Sequence, residues 1–112
     1  MHISTATQSE LDILLIDPGV HVVPSADLNT LPIGTIIRLQ TLGHWKYLLQ
    51  IDEKDGVRVV HVVLSDKTGD VGSAKYRGSY RIQPDYAILS NKTRFKYGNL
   101  LTAILGEVAL LP

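Results

Sequence analysis

The side chains able to do chemistry near neutral pH are few. Four histidines stand at positions 2, 21, 44 and 61, and there is no cysteine, which excludes disulfides, thiolate zinc sites and a thiol nucleophile. His44, followed by Trp45 and preceded by the turn-forming Thr41-Leu42-Gly43, opens an expected strand, where an imidazole can act as a general base or accept a ligand. His61 lies in the next expected strand. If Glu53 to Gly56 form a four-residue loop, Asp52 faces Val57 and Leu48 faces His61. The two histidines then share a face but stand four residues apart along the strands, roughly 13 Å at about 3.3 Å per residue. That is too far for one ion, so no metal site is assigned. No cofactor is expected either: glycine-rich phosphate loops and the G-x-S-x-G elbow are absent, and Ser73 and Ser79 read as ordinary turn or strand serines.

A second group of residues runs from Lys75 to Tyr97. It holds six bases (Lys75, Arg77, Arg81, Lys92, Arg94, Lys96) against one acid (Asp85), a net of +5, together with Tyr76, Tyr80, Tyr86, Phe95 and Tyr97. Cations interleaved with rings suit single-stranded nucleic acid, because the bases neutralise phosphates while rings stack on unpaired bases at about 1–3 kcal/mol each. Lys75, Arg77, Tyr80, Arg81, Tyr86, Arg94 and Phe95 are the candidate contacts. Strict alternation puts Lys75, Arg77, Ser79 and Arg81 on one face and Tyr76, Gly78, Tyr80 and Ile82 on the other, unless Gly78 marks a bulge. The same alternation also describes an antiparallel strand with tyrosines inside and bases in water.

The elements that must position these groups are mostly strands. Residues 35–40, 44–52 and 57–65 are rich in β-branched and aromatic side chains, five valines in the last run alone, and predict three consecutive strands. Asp55-Gly56 can supply the positive φ of a tight turn. Residues 73–83 and 86–89 extend the series, separated by Pro84, and Asn91-Lys92-Thr93 predicts a turn. Ser9 is the expected cap of a short helix over residues 10–16, with a strand as the competing assignment for LDILLI. Residues 1–8 are expected to fray. Val20 to Val23 reads as extended and residues 24–32 as loop. Tyr97 to Leu111 reads as a terminal helix or strand; Leu100, Leu101, Ile104, Val108 and Leu111 follow three- and four-residue spacing, which favours a C-terminal helix, interrupted in propensity by Gly106. Together these give a single α+β, mainly β domain: a small antiparallel barrel or strongly bent sheet of about six strands with a short N-terminal helix and a C-terminal helix.

The central run resembles the permuted papain-like proteins of the lecithin:retinol acyltransferase, or H-box, type. The residues that carry the likeness are Pro32-Ile33-Gly34, His44-Trp45-Lys46-Tyr47, Asp55-Gly56 and Val59-Val60-His61, with Asn91-Lys92-Thr93-Arg94-Phe95 in the place of the family's Asn-Cys motif. Lys92 stands where that family has its nucleophilic cysteine. The resemblance therefore implies a non-catalytic relative that uses the fold as a binding surface, or a hydrolase or acyltransferase relative in which His44 is the base.

Charge is zero overall yet segregated. Residues 1–34 carry four acids and no Lys or Arg, and residues 35–112 hold eleven bases against seven acids. The chain offers neither an apolar stretch of about 18 residues nor a secretory leader, and is expected to be soluble and intracellular, in the cytoplasm. The expected function is a protein-interaction module, with another protein as partner and a homo-oligomer open to it through the apolar terminal segment. The alternatives are single-stranded nucleic-acid binding through residues 75–97 and an enzyme built on His44.

Overall fold

The computed structural model describes residues 1–16, 19–65, 72–97 and 103–111. The chain runs through a helix, α1 (Gln8–Ile16), and then β1 (His21–Val22), β2 (Ser25–Asp27), β3 (Ile36–Thr41), β4 (Lys46–Lys54), β5 (Val57–Leu64), β6 (Lys75–Arg81), β7 (Ile88–Ser90), β8 (Arg94–Phe95) and β9 (Ala103–Leu110), with a single 3-10 turn at Pro84–Tyr86. The strands form one antiparallel path, β1-β9-β3-β4-β5-β6, with β8 attached to β9, and a separate two-strand ribbon of β2 and β7. The path does not close on itself: β1 and β6 are its two ends among the described residues.

The hairpin that sets the register is tighter than the four-residue loop expected from sequence. Lys54 pairs with Val57, leaving Asp55 and Gly56 as a two-residue turn with φ of 53° and 77°, the left-handed pair that matches the twist of the flanking strands. Every pairing along β4 and β5 therefore moves by two residues. Gln50, not Leu48, lies opposite His61. A shift of two keeps each side chain on its expected face and changes only its neighbours.

β5 is rich in valine on both faces because both are covered. On one side Val60 and Val62 join Ile37, Leu39, Leu49, Ile51, Phe95, Tyr97 and Val108 in the larger core, which the β2–β7 ribbon also covers through Ala26 and Leu89. On the other side Val63, Leu48 and Ala74 pack against Ile3, Leu11 and Leu15. Residues 1–8 thus lie across the sheet with Ile3 buried, where fraying was expected. Thr7, not Ser9, caps α1. Its hydroxyl accepts the Glu10 amide at 3.2 Å and the Glu10 carboxylate accepts the Thr7 amide at 3.1 Å, a reciprocal pair that satisfies two otherwise orphaned donors. A nine-residue helix is too short to persist alone. It is held by Leu11 and Leu15, at about 1.5–3 kcal/mol for each buried side chain, and by Arg38, which donates to the Leu15 carbonyl at 3.1 Å.

The C-terminal helix is not formed. Residues 103–110 are strand β9, hydrogen-bonded to β3 on one side and to β1 and β8 on the other. Gly106 sits where the β3–β9 register slips: Gln40 pairs with Glu107 and Thr41 with Leu105. Pairing on both edges, with β3 on one side and β1 and β8 on the other, is what favours the extended form over the helix that the spacing alone predicts. Leu100 and Leu101, which contributed to the helical spacing, lie outside the described residues. The expected loop at 24–32 likewise contains β2, paired with β7 from Ser25↔Ser90 to Asp27↔Ile88. Among the described residues no helix is long and apolar enough to cross a membrane.

Candidate functional site

Three segments distant in sequence bring polar side chains together on the α1 side of the sheet. Gln50 stands opposite His61 and Asp52 opposite Val59, so Asp52 and His61 are diagonal neighbours on one face, within reach across a strand pair. His61 is buried, and its Nε2 lies 2.7 Å from Asp52 Oδ2. His2, brought over by the N-terminal segment, places Nε2 3.1 Å from the same oxygen. A carboxylate only accepts, so both imidazoles donate through Nε2, and in the neutral ring Nδ1 is left as an acceptor. Each Nδ1 has a hydroxyl to meet it. Tyr76 lies 3.0 Å from Nδ1 of His61, and Ser4 lies 2.5 Å from Nδ1 of His2. The two imidazole rings meet edge to face with centroids 4.6 Å apart. The hydrogen bond from His61, then that from His2, then the Glu53 amide hold the Asp52 carboxyl well below the usual carboxylate range.

Two features of the chain make this arrangement. The first is Gln50, itself buried, whose side chain accepts the Ile3 amide at 2.9 Å and donates to the Met1 carbonyl at 2.7 Å. It pins the backbone on both sides of His2. The second is a bulge in β6. Val63 pairs with Tyr76 and Val62 with Gly78, so Arg77 is the extra residue and Gly78 takes φ of 113°, open in practice only to glycine. Without it Tyr76 would face the larger core. With it, Tyr76 joins Ser79 and Arg81 on the His61 face. Burial raises the Tyr76 hydroxyl's pKa, opposed by a hydrogen bond with Ser79. Among the described residues, His2, Asp52 and His61 are the group whose donor atoms could meet on one ion, all lying within 4.8 Å of one another.

The chain matches no protein-family model, no curated protein and no solved structure. Its chemistry rests on the site alone.

The residues singled out from sequence fall elsewhere. His44 does not open a strand: it occupies the β3–β4 turn with φ of 68°, its amide donating to the Thr41 carbonyl at 3.0 Å. It is exposed and its ring meets Gln40 at 3.5 Å. β4 begins two residues later at Lys46, whereas His61 lies opposite Gln50 in the middle of that strand, so His44 and His61 stay apart. Asn91 and Lys92 form a turn and Arg94 and Phe95 form β8. Of the basic group, Lys75, Arg77, Arg81 and Arg94 are exposed, as are Lys92 and Lys96. The rings are mostly committed to the core: Phe95 and Tyr97 are fully buried, Tyr80 and Tyr86 are half-buried against the same cluster, and the Tyr80 hydroxyl donates to the Arg77 carbonyl at 2.8 Å. Tyr76 alone of the five is exposed, at 39 %.

Sequence reasoning missed His2 and Asp52 as partners of His61. Asp52 was within reach of it: reading Asp55-Gly56 as a two-residue hairpin puts Asp52 diagonal to His61 directly. Nothing local announces His2, since it meets Asp52 across fifty positions of sequence.

Proposed function

We propose that this domain is a non-catalytic binding module that takes an extended, acidic segment of another protein along the free edge of β6. The observation that carries this reading is an unpaired strand edge lined with uncompensated positive charge. β6 pairs with β5 alone among the described residues, and Lys75, Arg77 and Arg81 are exposed without an ion pair to any described carboxylate. The described acids of the N-terminal third are engaged elsewhere. Asp12 accepts the Gly72 amide, Glu10 caps α1, and Asp27 accepts the Asn29 amide. A peptide added to such an edge gains main-chain hydrogen bonds, and alternating carboxylates on it would meet the arginines.

Single-stranded nucleic acid is the second reading, supported by the same cations and by the exposed Lys92, Arg94 and Lys96. It has less behind it, because stacking needs free rings and of the five rings between residues 75 and 97 only Tyr76 is exposed. An activity centred on His44 has no acid or nucleophile bonded to that ring among the described residues.

The test is selection from a random peptide library, followed by titration of the enriched peptides and of an oligothymidylate against the wild-type chain and the Arg77→Glu and Arg81→Glu variants. Enrichment of acidic, β-prone peptides whose binding the charge reversals abolish supports the module. Failure to enrich any acidic sequence refutes it, and tight, salt-sensitive oligothymidylate binding would move the function to nucleic acid.

A further inference from the structure

We infer that His2, Asp52 and His61 form a binding site for one divalent transition-metal ion of borderline softness, zinc in the first instance. The inference is independent of the β6 edge, which needs no ion.

The donor set is the first ground. Two imidazoles and one carboxylate from three separate segments converge within 4.8 Å, and that combination is one that zinc and its neighbours prefer to the hard cations magnesium and calcium. Spacing is the second. At zinc–ligand distances of about 2.0–2.1 Å a tetrahedral ion holds its donors about 3.3–3.4 Å apart. Here Asp52 Oδ2 stands 3.1 Å from His2 Nε2 and 2.7 Å from His61 Nε2, and all three donors lie within 4.8 Å of one another, so an ion needs the carboxylate to back away by a few tenths of an ångström and the exposed His2 ring to swing towards His61. Asp52 is partly exposed and its other oxygen is held by the Glu53 amide at 2.7 Å, leaving Oδ2 free to make that adjustment.

The third ground is the hydroxyl behind each ring. Histidines that bind metal carry a hydrogen-bond partner on the distal nitrogen, which fixes the tautomer and the ring plane. Both histidines here have one, Tyr76 for His61 and Ser4 for His2. A hydroxyl donates or accepts with equal facility, so it serves either occupancy of the site. With no ion, the hydroxyl donates to Nδ1 and Nε2–H points at Asp52. With an ion, the Nε2 lone pair goes to the metal, the ring proton moves through solvent to Nδ1, and Nδ1–H donates to the hydroxyl oxygen. Each neutral ring keeps its single proton, and the carboxylate is already ionised. Three protein ligands leave a fourth position open. It faces outward, since the His2 side chain is 43 % exposed while that of His61 is 3 % exposed, so water or an exogenous donor completes the sphere.

The experiment uses the full chain with no affinity tag, stripped with a chelator and titrated calorimetrically with zinc. Cobalt serves as a spectroscopic probe and magnesium as the hard-cation control. The expected result is one zinc per chain, visible bands of tetrahedral cobalt, no response to magnesium and a rise in Tm with zinc. His2→Ala removes a ligand from an exposed segment, and Asp52→Asn keeps an acceptor for both imidazoles, so both variants retain the fold. Each is expected to weaken zinc binding by more than about tenfold, and Tyr76→Phe, which leaves every ligand in place, by about 10–100-fold. Zinc uptake that is undiminished in His2→Ala and Asp52→Asn would assign it to His21 or His44 and overturn the inference. So would an absence of zinc binding by the wild-type chain.

Discussion

Gln50→Leu isolates what holds the N-terminal segment on the sheet. The substitution keeps volume and burial while removing three hydrogen bonds: from the Ile3 amide at 2.9 Å, to the Met1 carbonyl at 2.7 Å and to the Gly34 carbonyl at 3.3 Å. At about 0.5–1.5 kcal/mol net each, the direct loss is about 1.5–4.5 kcal/mol. Against this, Ile3 is 1 % exposed and its burial is worth about 1.5–3 kcal/mol. Releasing the segment returns roughly 1–2 kcal/mol of backbone entropy per residue, so Ile3 alone cannot hold it. The expected outcome is a fall in unfolding free energy of about 2–3 kcal/mol, together with loss of hydrogen-exchange protection at the Ile3 amide. Urea denaturation measures the first and amide exchange followed by NMR the second. An Ile3 amide that stays protected, with stability changed by less than about 0.5 kcal/mol, would refute the proposed role of Gln50.

Three further outcomes follow from local geometry. Burial raises the Tyr97 hydroxyl to about 12, above its unfolded value near 10. Its contribution is therefore complete below about pH 10 and lost as pH rises towards about 12, by roughly 2–3 kcal/mol; urea melts across that window should fall more steeply for wild type than for Tyr97→Phe. Gly78→Ala should cost about 1–3 kcal/mol because φ of 113° excludes a side chain, whereas Gly106→Ala, whose Cβ would first meet the exposed and movable Leu42 side chain at 3.2 Å, should cost less than about 1 kcal/mol; equal losses in thermal denaturation would contradict the bulge argument. Thr7→Ala breaks the reciprocal cap of α1 and should cost about 0.5–2 kcal/mol, measured by chemical denaturation, and Ser9→Ala should be nearly silent.

How much of this was legible in the sequence depends on the distance over which each feature is decided. The strands β3, β4 and β5 were legible because valine, isoleucine and turn residues act locally. The turn at Asn91 to Thr93 was legible too, and Thr93 closes it onto the Ser90 carbonyl. The register between β4 and β5 was missed by two residues through crediting Glu53 and Lys54 to the loop, although Asp55-Gly56 suffices on its own. β9 was read as a helix because Ile104, Val108 and Leu111 obey a 3.6-residue period, while the reasons for a strand lie in β1 and β3, between 64 and 89 positions away in sequence. The candidate site divides in the same way. His61 was noticed as a histidine within a strand, and its pairing with His2 belongs to tertiary structure alone.

β9 carries a consequence for synthesis. It lies inside the strand path, between β1 and β3, yet residues 103–110 leave the ribosome after the other described elements. A nascent chain lacking them can assemble the consecutive hairpins of β3 to β6, whose contacts are short in sequence. It leaves β3 as a raw edge and β1 without a partner, a template for pairing with neighbouring nascent chains. Translation should therefore pass through an interval of intermolecular risk that ends only when β9 threads between β1 and β3. Interrupted chains should aggregate where the full chain does not.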